Sequence, residues 1–189
     1  MNLTARFEEA LIYAIRLHAR QTRKGSGVPY VSHLLAVCAL VIEFGGDEDQ
    51  AIAGLLHDAV EDQGGSSTRE EIRKRFGERV TAIVEGCTDA DTHPKPPWKP
   101  RKEAFIARLR KAPPEVRLVS AADKLHNVRT ITANYRQLGE NLWSRFRGGK
   151  EGTLWYYREL VRTFWDLGPQ AIADELAQAV EELELLVSR

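Results

Sequence analysis

Hydrophobic positions recur at helical spacing along nearly the whole chain. Phe7, Ala10, Leu11, Ala14, Ile15 and Leu17 follow Thr4, a residue type that caps helix starts. RKGSGVP interrupts the pattern as a loop. Pro29 opens a second helix that runs to about Phe44 and ends at Gly45-Gly46. Asp47 caps a third helix, which reads through AIAGLLHDAVEDQGG and stops at Gly64-Gly65. Thr68 starts a fourth, with Glu71 three residues on, the spacing of a capping box. A further helix covers about Glu78 to Cys87. DADTHPKPPWKPR, with four prolines, reads as a loop. Helices resume near Lys102, and again after Pro113-Pro114 through Asp123 to about Leu138. RFRGGKEG breaks the pattern, and two last helices cover 153–167 and 169–188. No segment alternates with the period of a strand. The expectation is an all-α, single-domain helical bundle over residues 1–189.

The third helix carries an unusual polar face. At about 100° per residue, with His57 at zero, Glu61 falls near 40°, Asp58 near 100° and Asp62 near 140°. Ile52, Leu55, Leu56, Ala59 and Val60 occupy the remaining arc. An ordinary amphipathic helix with one wet face has the same layout. Wet faces, however, usually mix Lys or Arg with Glu. This one offers a histidine and three carboxylates within six residues. Such a group calls for a positive partner, and a metal ion is one candidate.

Composition narrows the setting. With 189 residues, 43% of them hydrophobic, the chain can bury a substantial core. Acidic and basic residues balance at 27 each, which argues against a broad nucleic-acid-binding face and leaves room for a small basic pocket. Cys38 and Cys87 form neither a CxxC nor a zinc-ligand spacing, which points to a reducing, cytoplasmic setting. Arg6, Glu8, Glu9 and Arg16 interrupt the apolar pattern of the first helix, so it reads as neither signal peptide nor membrane span. No membrane partner is expected.

Candidate metal ligands come from separate segments: His33 in PYVSHLLAV, the adjacent His57 and Asp58, and Asp123 in LVSAADKLHN. Two imidazoles with two carboxylates suit Mn²⁺, Fe²⁺ or Zn²⁺ better than Ca²⁺ or Mg²⁺. Neighbouring helices of a bundle are a usual source of such a set. Each part alone has an ordinary reading. A lone His33 is commonly a hydrogen-bonded core residue, Asp123 can pair with Lys124, and an HD dipeptide arises by chance. His18 and His126 read as structural, and His93 as an exposed residue of the proline loop.

Together these residues resemble the HD-domain metal-dependent phosphohydrolases, whose pattern is H…HD…D. The closer resemblance is to the (p)ppGpp hydrolase domain of the RelA/SpoT family and its small stand-alone members. It rests on LHARQTRKGSGVPYVSH, AIAGLLHDAVEDQGG, FGERVTAIVEGCTDA and LVSAADKLHNVRTI, in that order over about residues 7–135. The resemblance implies that His33, His57, Asp58 and Asp123 ligate a divalent metal, usually Mn²⁺. It implies that Glu61 and Asp62 position and activate the attacking water. Arg23, Lys24 and Asn127 resemble residues that hold the nucleotide. The implied reaction removes the 3′-pyrophosphate of ppGpp or pppGpp. A metal-dependent phosphohydrolase of another nucleotide, a binding module without turnover and a purely structural bundle are the alternatives.

The resemblance thins elsewhere. Lys95, Lys99 and Arg101, with Lys102 next to them, make loop 89–101 basic, and its Trp98 suits either a lid over a nucleotide or a ring folded onto the body. Beyond Tyr135, Leu154, Trp155, Leu160, Phe164 and Trp165 read as core or subunit contact, which leaves room for a homodimer.

Overall fold

Two antiparallel helices joined by a tight glycine turn frame the molecule's polar cluster. In the computed structural model, which describes residues 2–90 and 94–188, these are α2 (Val31–Glu43) and α3 (Glu48–Leu56). Gly45 takes a positive φ of 83° in the turn between them. Asp47 and Gln50 close a reciprocal capping box at the start of α3. Gly54 lets α3 approach α2 closely: a Cβ there would lie 3.2 Å from the Cys38 Cα. His33, in the first turn of α2, and His57, just past the end of α3, thus meet at one end of the pair.

The remaining elements are α1 (Ala5–Leu17), α4 (Ala59–Asp62), α5 (Ser66–Phe76), α6 (Glu78–Cys87), α7 (Trp98–Leu109), α8 (Pro114–Leu138), a 3₁₀ turn (Gly139–Arg145), α9 (Gly149–Leu167) and α10 (Gln170–Val187). The all-α expectation holds: the described residues contain no strand, only an isolated bridge between Thr22 and Pro29. Helix α8 is the spine and packs on α2, α3, α6 and α10. The core runs through Leu34, Leu55, Leu56, Leu125, Leu160 and Phe164, all fully buried. The Thr4 side chain accepts from the Arg6 N–H and caps α1 as expected.

Four expectations need correction. The third helix is not continuous: α3 ends at Leu56 and α4 begins at Ala59, with His57 and Asp58 at the joint. The His57 side chain bonds the Gly54 carbonyl (Nδ1···O 2.8 Å), which an unbroken helix would give to the Asp58 N–H. Thr68 does not cap α5. The helix starts at Ser66, the Thr68 hydroxyl donates to the Gln63 carbonyl, and Glu71 accepts from Arg75 Nε at 2.6 Å. The proline loop is shorter than expected, because Trp98 to Arg101 already belong to α7. Pro100 sits in its first turn, where a missing N–H costs nothing. The break at RFRGGKEG shrinks likewise, since Gly139–Arg145 form the 3₁₀ turn and α9 starts at Gly149. His93 lies outside the described residues.

Candidate metal centre and adjoining cleft

His33, His57 and Asp58 each offer a ligand atom within 4.8 Å of the others, a group that could hold a metal ion. Asp123, from the middle of α8, completes the cluster: its Oδ1 lies 3.2 Å from His33 Nε2 and 3.7 Å from His57 Nε2. Asp58 Oδ2 lies 3.0 Å from His57 Nε2 and 3.7 Å from His33 Nε2. Both histidines and Asp123 are buried, while Asp58 keeps a partly exposed edge.

The surroundings orient each group. Gly54 O can only accept, so His57 Nδ1 carries a proton and Nε2 faces the two carboxylates. His33 Nδ1 lies 2.7 Å from His126 Nδ1. Asp123 Oδ1 accepts from Asn127 Nδ2 at 2.5 Å, and its Oδ2 accepts from Lys124 Nζ. The Tyr30 hydroxyl donates to Asp58 Oδ2 at 2.5 Å. Both Nε2 atoms, buried, find no hydrogen-bond partner. Two such nitrogens facing two carboxylates need a cation between them, or a proton on an imidazole. The acid–base balance expresses the same demand. Burial alone would lower the His57 pKa, but Asp58 and Asp123 outweigh it and hold it well above the usual range. Burial would raise Asp58 and Asp123. His57 and His33 hold the first well down, and Lys124 with the two imidazoles the second. His126 is depressed to about 4, by burial first and then by His33 and Arg23.

Glu61 and Asp62 stand beside the cluster on α4, each held from a different side. Glu61 Oε1 accepts from Lys95 Nζ at 2.6 Å and its Oε2 from the Asp89 N–H at 3.1 Å. Asp62 Oδ2 accepts from Gln21 Nε2 at 2.8 Å. Desolvation, and then the Asp58 carboxylate, push the Asp62 carboxyl upward.

A cleft of about 610 Å³ opens next to the cluster, reaching it through Tyr30, His126 and Asn127. Six cations line it: Arg23, Lys24, Arg101, Lys102, Arg145 and Arg147. No Asp or Glu does so among the described residues. Arg23 Nη2 donates to Asn127 Oδ1 at 2.7 Å, and Lys24 Nζ to the Arg145 carbonyl at 2.6 Å. Trp98 lies on the cleft wall and folds onto α9, 6.1 Å from the Trp155 ring. Gly148 makes room for it, since a Cβ there would come within 2.7 Å of the indole. A groove of similar size, about 620 Å³, follows α1 but shares no residue with the His/Asp cluster.

The fold brings His33, His57, Asp58, Asp123, Glu61, Asp62, Arg23, Lys24 and Asn127 to one region. Tyr30, Asp89, Arg145 and Arg147 join them there. Nothing in the sequence singles these four out: Tyr30 is one aromatic beside Pro29, and the arginines lie in a stretch that reads only as a chain break.

A helical frame whose α2, α3 and α8 converge on two histidines and two aspartates defines an all-α protein with a buried group that could hold a metal ion. Residues 10–154 match the HD domain family, and the chain belongs to it. Guanosine-3′,5′-bis(diphosphate) 3′-pyrophosphohydrolase of Aquifex aeolicus is 39% identical over 127 residues, 66% of this chain and 17% of that protein. The human enzyme of the same name is 36% identical over 130 residues, 67% of this chain and 70% of that protein. The chain therefore spans about a sixth of the long bacterial relative. Among solved structures, one described as a metazoan ortholog of SpoT that hydrolyses ppGpp superposes with a TM-score of 0.79 at 25% identity, covering 96% of this chain and 97% of that one. A Listeria monocytogenes crystal structure gives 0.70 at 28% identity, covering 83% and 99%.

Proposed function

We propose that this chain is a metal-dependent hydrolase that removes the 3′-pyrophosphate from ppGpp or pppGpp, leaving GDP or GTP. One observation carries the reading most. A cleft walled, among the described residues, by six cations and no carboxylate adjoins the His/Asp cluster in a chain of zero net charge. A nucleotide with a diphosphate on both the 3′ and the 5′ position fits that charge pattern. The names of the similar proteins point the same way.

In this reading His33, His57, Asp58 and Asp123 hold the divalent ion, with Mn²⁺ the first choice and Fe²⁺ or Zn²⁺ the alternatives. Such an ion supplies a lowered pKa for bound water and relief of charge at phosphorus. The protein does the rest. The His33 ring, with Nε2 committed inward, donates from Nδ1 to His126, which fixes both tautomers. Glu61 and Asp62 accept and steer the proton of the attacking water. Arg23 and Lys24 grip phosphate oxygens, and Asn127 fixes the Arg23 fork that does so. Water adds to the phosphorus next to the ribose, and the 3′ oxygen leaves and is protonated. Residues 1–189 act as one domain, in which α9 and α10 buttress α8. No described helix is long and apolar enough to cross a membrane. A cytoplasmic site of action, without nucleic-acid or membrane partners, accords with the balanced charge and free cysteines. A homodimer through exposed Trp165 and Leu185 belongs to the same proposal.

The test is incubation of purified protein with ppGpp and Mn²⁺, products resolved, beside Asp58→Ala. Pyrophosphate and GDP from the wild type alone are expected. No product from protein that holds its metal overturns the alarmone assignment and favours another nucleotide.

A further inference from the structure

We propose that Asp89 is a positioning residue that fixes the Glu61 carboxylate through its own backbone amide. This rests on the reading of Glu61 as the carboxylate that handles the water proton. Asp89 follows the end of α6, where no helix holds the chain. Its N–H nevertheless points at Glu61 Oε2, 3.1 Å away. A free coil does not keep an amide aimed at one oxygen, so something must fix this residue.

Helix α7 does so with three cations. Lys102 Nζ donates to Asp89 Oδ2 at 2.7 Å, and Arg101 donates to the same oxygen. Arg108 Nη2 donates to the Thr88 carbonyl at 3.0 Å and the Asp89 carbonyl at 3.1 Å. At about 100° per residue these three cations share one arc of roughly 120° on α7. The helix also buries Phe105, Ile106 and Leu109, so the cationic face is anchored in the core. Asp89 is therefore held at its side chain and its carbonyl, and its amide is left in one direction. That amide and Lys95 occupy one oxygen each of Glu61. With both oxygens engaged from fixed directions, the carboxylate keeps one orientation beside the His/Asp cluster.

The same ion pairs reach the cleft. Arg101 and Lys102 line it, so the residues that hold Asp89 are also wall of the substrate site. A plain structural ion pair predicts loss of stability alone when Asp89 is changed. Positioning predicts loss of turnover through Glu61. Misplacing a reacting group by about 1 Å costs up to roughly 10²-fold.

The experiment is a double-mutant cycle on the metal-loaded protein with ppGpp: wild type, Asp89→Asn, Glu61→Gln and the double variant. Melting temperature and metal content are measured on all four. Asp89→Asn is expected to lower kcat about 10- to 100-fold with KM changed less than about threefold. It is expected to add no further loss to Glu61→Gln, because residues acting as one unit are non-additive. An amide readout stands apart from activity. In ¹⁵N spectra Glu61→Gln should shift the residue-89 N–H, and Asp89→Asn should speed its hydrogen exchange. Multiplying kcat effects, an effect on KM alone, or a residue-89 amide blind to Glu61→Gln each overturn the proposal. A wild type that leaves ppGpp intact overturns the substrate assignment instead, and the amide readout then decides the Asp89 contact by itself.

Discussion

The Arg23 guanidinium donates to the Asn127 side-chain oxygen at 2.7 Å, joining residues 104 positions apart. Asn127 turns its other side-chain atom, Nδ2, to Asp123 at 2.5 Å. One asparagine thus links the cationic loop to the carboxylate that faces both histidines. The cationic wall of the cleft and the His/Asp cluster are mechanically one assembly.

Replacing Arg23 with Ala removes a charge-assisted donor worth about 1.5–3 kcal/mol. We expect kcat/KM on ppGpp to fall about 10- to 100-fold, mostly through KM, with metal affinity retained. Asn127→Ala should lower metal affinity as well, because it frees Asp123 Oδ1 from its donor. Steady-state kinetics and metal titration by calorimetry separate the two.

A bound metal stabilises the native state by mass action, about 2.7 kcal/mol at a hundredfold excess over Kd. For a chain of this size that is a Tm shift of about 5–10 °C. Chelation should lower the wild-type Tm by that amount. Asp58→Ala should show no such shift, and an equal shift in it would refute the ligand assignment.

Glu61→Gln keeps the shape of the side chain and removes its ability to accept a proton. The expected loss in kcat is about 10²- to 10⁴-fold, with metal content and Tm close to wild type. Retained turnover would pass the proton role to Asp62.

Asp47 caps α3, and Arg79 beside it holds its carboxyl below the usual range. Asp47→Ala should cost about 1 kcal/mol at neutral pH. The cap is half exposed, so the ion pair adds little beyond the cap itself. A depressed carboxyl contributes stability above its unfolded pKa and loses it as pH falls through the folded value. The gap between wild type and variant in urea melts should therefore close below about pH 4.

Gly148→Ala drives a methyl into the Trp98 indole, since the new Cβ would lie 2.7 Å from the ring. Overpacking of this kind costs about 1–3 kcal/mol. Trp fluorescence and KM for the nucleotide should both change, since Trp98 is cleft wall.

Much of this protein is legible in its sequence. Apolar spacing marks the helices because burial selects one face at a 3.6-residue period, and that period is local. The H…HD…D set stands out because its residue types are chemically unlike the apolar helices around it, and the RKG loop because it interrupts their spacing. The tertiary structure alone decided the rest. The break between α3 and α4 comes from an imidazole that takes a backbone carbonyl, a competition that a helical wheel does not contain. The start of α7 at Trp98 comes from a first turn that tolerates Pro100. Arg23 meets Asn127, and Asp89 meets Glu61, only because α8 and α7 pack where they do. Such pairs depend on how helices cross, which the periodicity of any one helix leaves open.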